Sequence, residues 1–147
     1  GPEVAVASTK AFVAQIAATY LLGLQLGQVR GTLSDDEARG LVAELQEVPE
    51  KLRTALGVGE RIKDLAHWMA NTRSVLFLGR HVGYPVALEG ALKLKELAYI
   101  HAEGFAAGEL KHGPIALIEP GQVVFVLVPS PRDPRSLHSK VVSNIQE

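Results

Sequence analysis

The chain has 147 residues, 47% of them hydrophobic and 21% charged, with a net charge of −1. That is ordinary globular material, long enough to bury a core and outside the disordered class. Both signs of charge are mixed along it, so no electrostatic footprint points to nucleic acid or to an anionic membrane. With no cysteine it holds no disulfide, no thiolate zinc site and no cysteine nucleophile, which suits a cytoplasmic setting. No apolar run is expected to reach the roughly 18 to 20 residues of a spanning helix, and no basic region precedes the apolar opening as it would in a signal peptide.

The opening GPEVAVASTKAF reads as a short extended lead-in with Ser8 or Thr9 as N-cap of a long apolar helix that ends near Gly31. Ser34 and Glu37 have the spacing of a capping box, and Asp35 and Asp36 suit the positive end of the helix that follows. Pro49 is predicted to interrupt that helix and restart it, since proline is tolerated in a first turn. A further helix is expected over 60–71. The character then changes: SVLFLGR, 74–80, is a β-rich run closed by glycine, the pattern of a buried parallel strand. Pro85 opens a helix, the HAEGFAAGELKHGP segment follows with no strand assigned to it, and 123–128 is a second strand. Pro129, Pro131 and Pro134 follow, then a polar helix to Glu147. Strand, helix, strand argues for an α/β architecture with a parallel sheet, and ligands in such sheets sit beyond the carboxyl ends of the strands, where Gly79 and Arg80 lie. Arg80 could attract a phosphate there. Two strands are too few for a stable domain of this kind, and the chain has no initiator methionine, so it is expected to be a piece of a longer one.

The helix after Pro85 carries EGALKLKE, 89–96. Glu89, Lys93 and Glu96 stand at i, i+4 and i+7 and share one stripe. By the helical repeat Leu92 lies about 60° to one side of the stripe, Leu97 about 80° to the other, and Ile100 almost on it. A helix apolar nearly all round is expected to be buried, and buried ionised groups need partners or a polar cavity. The residues alone leave two readings open, a structural Glu-Lys-Glu ion network and a site for proton transfer. Sixteen residues beyond Glu96 comes His112, in GELKHGP; Gly108, Gly113 and Pro114 around it describe the kind of irregular, positioned segment in which functional residues concentrate. His67, His81, His101 and His138 have no spacing that makes a metal site.

Three motifs in order, GPEVAVASTKAF, ALEGALKLKELAYIHAE and AAGELKHGP, resemble the isomerase portion of the glutamine:fructose-6-phosphate aminotransferase family, the glucosamine-6-phosphate synthases. The resemblance covers nearly the whole chain. It implies two sugar-isomerase (SIS) domains of flavodoxin-like topology, with 1–31 the end of the first, 32–72 an interdomain helical connector and 73–147 the first half of the second. It implies that Glu96 is the base moving a proton between C1 and C2 of the sugar, a task suited to a carboxylate in an apolar surround. Lys93 would assist at the developing enediol, where a cation stabilises negative charge. His112 would open the sugar ring from the neighbouring subunit of a homodimer, since imidazole can both donate and accept near neutral pH. Val6 and Ser8 match positions that touch the sugar at a loop leading into a helix, although Ser8 could equally cap that helix. Glu89 is read as structural. No metal and no cofactor is implied, and the small-molecule partner is a sugar phosphate.

Nothing in the sequence resembles the family's glutaminase domain, its serine-rich phosphate-gripping loop or its C-terminal tail with the lysine that forms a Schiff base. The segment is therefore expected to be inactive when taken alone. Other readings are a different SIS-domain isomerase or deglycase, a non-catalytic sugar-phosphate sensor, which would be expected to lack Glu96 and His112, and an assembly module that uses only the apolar helices.

Overall fold

The computed structural model of the chain describes residues 2, 4–132 and 136–147; Gly1 and Pro134, which figure in the sequence reading, lie outside them. The described chain forms two compact units, Gly1–His67 and Trp68–Glu147.

The first unit is helical. Helix α1, Lys10–Val29, has Thr9 at its N-cap position, but that side chain does not cap; of the two expected caps, Ser8 lies one residue outside. The helix stops ahead of Gly31, whose φ of +68° suits glycine. Helix α2, Asp35–Gln46, begins with the expected capping box. The Ser34 amide donates to Glu37 Oε2 at 2.9 Å and the Glu37 amide to Ser34 Oγ at 3.3 Å. Helix α3, Val48–Leu56, restarts with Pro49 in its first turn, where the missing N–H costs nothing. Helix α4, Gly59–Trp68, ends three residues earlier than expected. At 20 residues and a mean hydropathy of 1.3, α1 is long and apolar enough to cross a bilayer, which corrects the expectation that no segment reaches that length. Gln15, Gln25 and Gln28 along it would each need a partner in hydrocarbon, so α1 reads as a domain helix. Its exposed Leu22, Leu26 and Val29 are surface of the kind that other protein covers.

The second unit is a parallel sheet with helices. Strand β1, Ser74–Gly79, lies in the middle, flanked by β2, His101–Ala106, and β3, Val123–Val126, in the order β2-β1-β3. Ser74 pairs with His101 and Gly79 with Ala106, while Val75 pairs with Val123 and Leu78 with Val126. Strand β2 corrects the count of two strands, which left HAEGFA without one. Its residues are poor strand formers apart from Phe105; what makes it a strand is pairing to β1 and the absence of a side chain at Gly104. A Cβ there would stand 3.0 Å from Leu88 of helix α5, Gly83–Ala98, which packs across it.

Alternation divides the sheet into two faces. On one, Val75 and Ala102 with Phe77 join Ala91 and Leu94 of α5, together with Met69 and Val123. On the other, Leu78 joins Ala107 and Leu110 of a 3₁₀ segment, Ala107–His112, with Phe105, Val124 and Val126 around them. Helix α6, His138–Gln146, is anchored by the fully buried Val141. The β1–α5 turn has no room for a side chain: a Cβ on Gly79 would lie 2.0 Å from the Gly83 carbonyl oxygen and 2.7 Å from the Tyr84 nitrogen. Both are backbone atoms and cannot step aside. Gly79→Ala is expected to destabilise the parent protein by about 3 kcal/mol, the upper end for overpacking, read as a drop in the urea midpoint. A loss below about 0.5 kcal/mol, the level of a neutral surface change, would show that the turn can open.

Candidate active site

Helix α5 docks through its smallest residues. Ala87 and Ala91 are buried, and Gly90 leaves room for Phe77, whose Cε1 would be 2.9 Å from a Cβ at that position. With Leu94 these side chains occupy one side of the helix. Glu89, Lys93 and Glu96 fall on the other by the 100° repeat, turned away from the sheet. The expectation that this helix is buried all round is thereby corrected: Leu92 is 40% and Leu97 62% exposed, and the sheet takes only the small-residue face. Ile100 also leaves the stripe. The helix ends at Ala98, Tyr99 turns into the left-handed region at φ +57°, and Ile100 packs into the core with Met69 and Val123.

The stripe itself is drawn together. Lys93 Nζ lies 2.5 Å from Glu96 Oε2 and 3.4 Å from Glu89 Oε1, with 20%, 30% and 22% of the Lys93, Glu96 and Glu89 side chains exposed. The apolar surround expected of Glu96 is thus half-open and contains an ammonium group. The hydrogen bond to Glu96 holds the Lys93 ammonium above the usual lysine value of 10.5, against the opposing effect of burial, and Glu89 adds to it. Lys93 is therefore a cation at any pH near neutrality. The arrangement offers a carboxylate that can take a proton, beside a fixed positive charge that can stabilise an anion formed next to it.

His112 ends the 3₁₀ segment, followed by Gly113 at φ +146° and a second 3₁₀ turn, Pro114–Leu117. Its ring is 74% exposed and its Nε2 is 4.0 Å from Glu109 Oε2. The structure places it on the segment that covers the sheet face opposite α5, so Glu96 and His112 are not brought together within this unit. Val6 and Ser8 lie in the first unit: Val6 is 99% exposed, within a bend over residues 5–7, and Ser8 is half-buried. Of the other histidines, His138 Nδ1 donates to the Pro129 carbonyl at 2.8 Å and His101 faces Glu103 at 3.2 Å. Among the described residues no three His, Asp or Glu side chains are grouped to hold a metal.

Two further features complete the description, the first at the strand ends where the sequence placed a ligand. A cavity of about 660 Å³ opens at the carboxyl ends of β1 and β3, lined by Arg80, His81, Val86, Leu127 and Leu137 among others. It lies where the strand order reverses, the usual ligand crevice of such sheets. The second is the engagement of Arg80, whose Nη1 donates to Asn144 Oδ1 at 3.1 Å. Only the position of Arg80 after a strand signalled the first; nothing local signals the second, because 64 residues separate the partners.

Comparison with known proteins decides what this arrangement belongs to. Residues 69–141 match the SIS domain. The whole chain is 77% identical to a glutamine–fructose-6-phosphate aminotransferase (isomerizing) of Leifsonia xyli and 68% identical to that of Corynebacterium glutamicum, covering 24% of each. Residues 69–141 of the chain belong to the SIS-domain family. Within it, the chain corresponds to the isomerase portion of the aminotransferases and spans about a quarter of the length of the curated relatives it matches. The C-terminal domain of the Francisella tularensis glucosamine–fructose-6-phosphate aminotransferase superposes with a TM-score of 0.93 at 38% identity, over 99% of this chain and 40% of that one. A putative phosphosugar isomerase from Clostridium difficile, at 22% identity and a TM-score of 0.81 over 99% of this chain and 41% of that one, shares the fold. The α/β, flavodoxin-like SIS reading of the sequence agrees with these matches.

Proposed function

We propose that this SIS segment supplies the proton-transfer part of the active site of an enzyme that makes glucosamine 6-phosphate from fructose 6-phosphate and glutamine. The observation that carries the reading is the Lys93–Glu96 pair at 2.5 Å on the outward face of α5, in a chain 77% identical to a named aminotransferase. Nitrogen released from glutamine first replaces the C2 oxygen of the open-chain sugar as an imine, with water leaving; Glu96 then takes a proton from C1 and returns it at C2, and the C1 hydroxyl gives up its proton as the C1 carbonyl forms. The electron pair left on C1 is delocalised onto the neighbouring heteroatom in between, and Lys93 stabilises that charge. Val6 and Ser8 contact the sugar, and His112 assists ring opening. The enzyme works as a homodimer in the cytoplasm, feeding amino-sugar precursor synthesis.

The separation of Glu96 and His112 supports the dimer. A general acid or base acts within about 3 Å of the proton it moves. Here the stripe is on the far side of α5 from the sheet, and a helix with its side chains is about 10 to 12 Å thick, while His112 belongs to the segment on the sheet's other face. The histidine that completes the Glu96 site therefore comes from a second copy.

The test is to supply the complete polypeptide that carries this segment with fructose 6-phosphate, with and without glutamine, and to measure both amino sugar and glutamate. Equal amounts of glucosamine 6-phosphate and glutamate are expected, formed only with glutamine present. Conversion to a nitrogen-free aldose phosphate alone would assign the chain to a simple sugar-phosphate isomerase.

A further inference from the structure

We propose that Arg80 is a positioning residue for His112, clamping the root of the histidine's segment to the end of the sheet. This rests on the reading of His112 given above and names what fixes it. The guanidinium of Arg80, half-buried just past β1, lies between two elements. On one side its Nη1 donates to Asn144 Oδ1 of α6 at 3.1 Å. On the other it lies over Gly108, at the start of the 3₁₀ segment, where a Cβ would stand 3.2 Å from Nη1 and 3.5 Å from Cζ. Glycine at 108 is what lets the planar group lie so close.

The far end of the same segment is tied to Glu147, the residue that follows the same helix. Lys111 Nζ, next to His112, lies 2.7 Å from Glu147 Oε1, whose side chain is 23% exposed. Lys111 lowers the proton affinity of that carboxyl, aided by a hydrogen bond from Asn144 and by the charge of Arg80, so it is ionised near neutral pH. Along the same segment, Ala107 and Leu110 are buried against Leu78. The segment is thus held under Gly108, through Leu110 and at Lys111, yet the ring it presents is 74% exposed. A side chain that acts on a substrate outside its own unit has no local pocket to orient it, so its backbone root has to be fixed. Misplacement by about 1 Å costs on the order of 10²-fold in rate. Arg80 accordingly has an architectural role besides its place in the lining of the cavity at the ends of β1 and β3.

The experiment uses the complete enzyme carrying this segment, with Arg80→Met, Asn144→Ala, His112→Ala and the two double variants that combine each clamp change with His112→Ala. Arg80→Met and Asn144→Ala are each expected to lower kcat by roughly 10-fold to 100-fold, with KM for fructose 6-phosphate within about twofold. On the His112→Ala background the same changes should cost nothing further, since a group that acts only through the histidine has no effect once the histidine is gone. An equal loss on that background, or native kcat in both clamp variants, overturns the proposal while leaving the role of His112 standing. Native kcat in His112→Ala overturns the underlying reading and the clamp with it. Asn144→Ala removes the acceptor while leaving Arg80 in place, so it decides the question if Arg80→Met does not fold.

Discussion

Glu96→Gln in the complete enzyme is expected to lower turnover by about 10²-fold to 10⁴-fold, the usual contribution of a positioned general base. The amide has nearly the shape of the carboxylate, and its oxygen can still accept from Lys93 at the 2.5 Å contact; α5 should keep its place, because it is held by Ala87, Gly90 and Ala91 on the opposite side. Only proton affinity is lost. Steady-state kinetics should therefore show a fall in kcat with KM for fructose 6-phosphate little changed, the pattern of an interaction made only in the transition state. An unaltered kcat would return the Glu89–Lys93–Glu96 group to the status of a structural ion network, which the sequence alone left open.

Much of this was legible because the signals are local. The Ser34–Glu37 capping box, the restart at Pro49 and the strand read over 74–80 each rest on residues within a few positions of one another; the first two form as read and the strand ends one residue earlier, at Gly79. The Lys93–Glu96 pair, which three residues of helix bring together, is equally local. What failed depends on contacts distant in sequence. HAEGFA has little strand propensity and becomes β2 only because β1 offers a full register beside it. The apolar flanks of α5 suggested burial all round, yet the face that docks is the one with the least side chain, Ala87, Gly90 and Ala91, a small-residue stripe that was itself readable. Ile100 was projected along a helix that Tyr99 ends. The engagement of Arg80 Nη1 by Asn144, 64 residues away, has no local signal at all.

The separation of Glu96 from His112 makes the strongest demand on the whole enzyme. If the sheet and α5 stand between them in one chain, then a site with both groups is built from two chains, and inactivating different groups in different chains is not equivalent to inactivating both in one. An enzyme with Glu96→Gln in every subunit and another with His112→Ala in every subunit should each lose most of their turnover. Mixed dimers of the two differ. One of their two sites has lost both groups, but the other pairs an intact Glu96 from the His112→Ala chain with an intact His112 from the Glu96→Gln chain. That site is whole. Co-expression with two affinity tags, followed by tandem purification, should yield dimers with close to half the native turnover. That lies far above either parent, since each loss alone is expected to reach about 10²-fold or more. A mixed dimer, proven by its mass, that stays as inactive as its parents would place His112 in its own chain's site or outside the chemistry, and the sheet would then have to open for the two residues to meet.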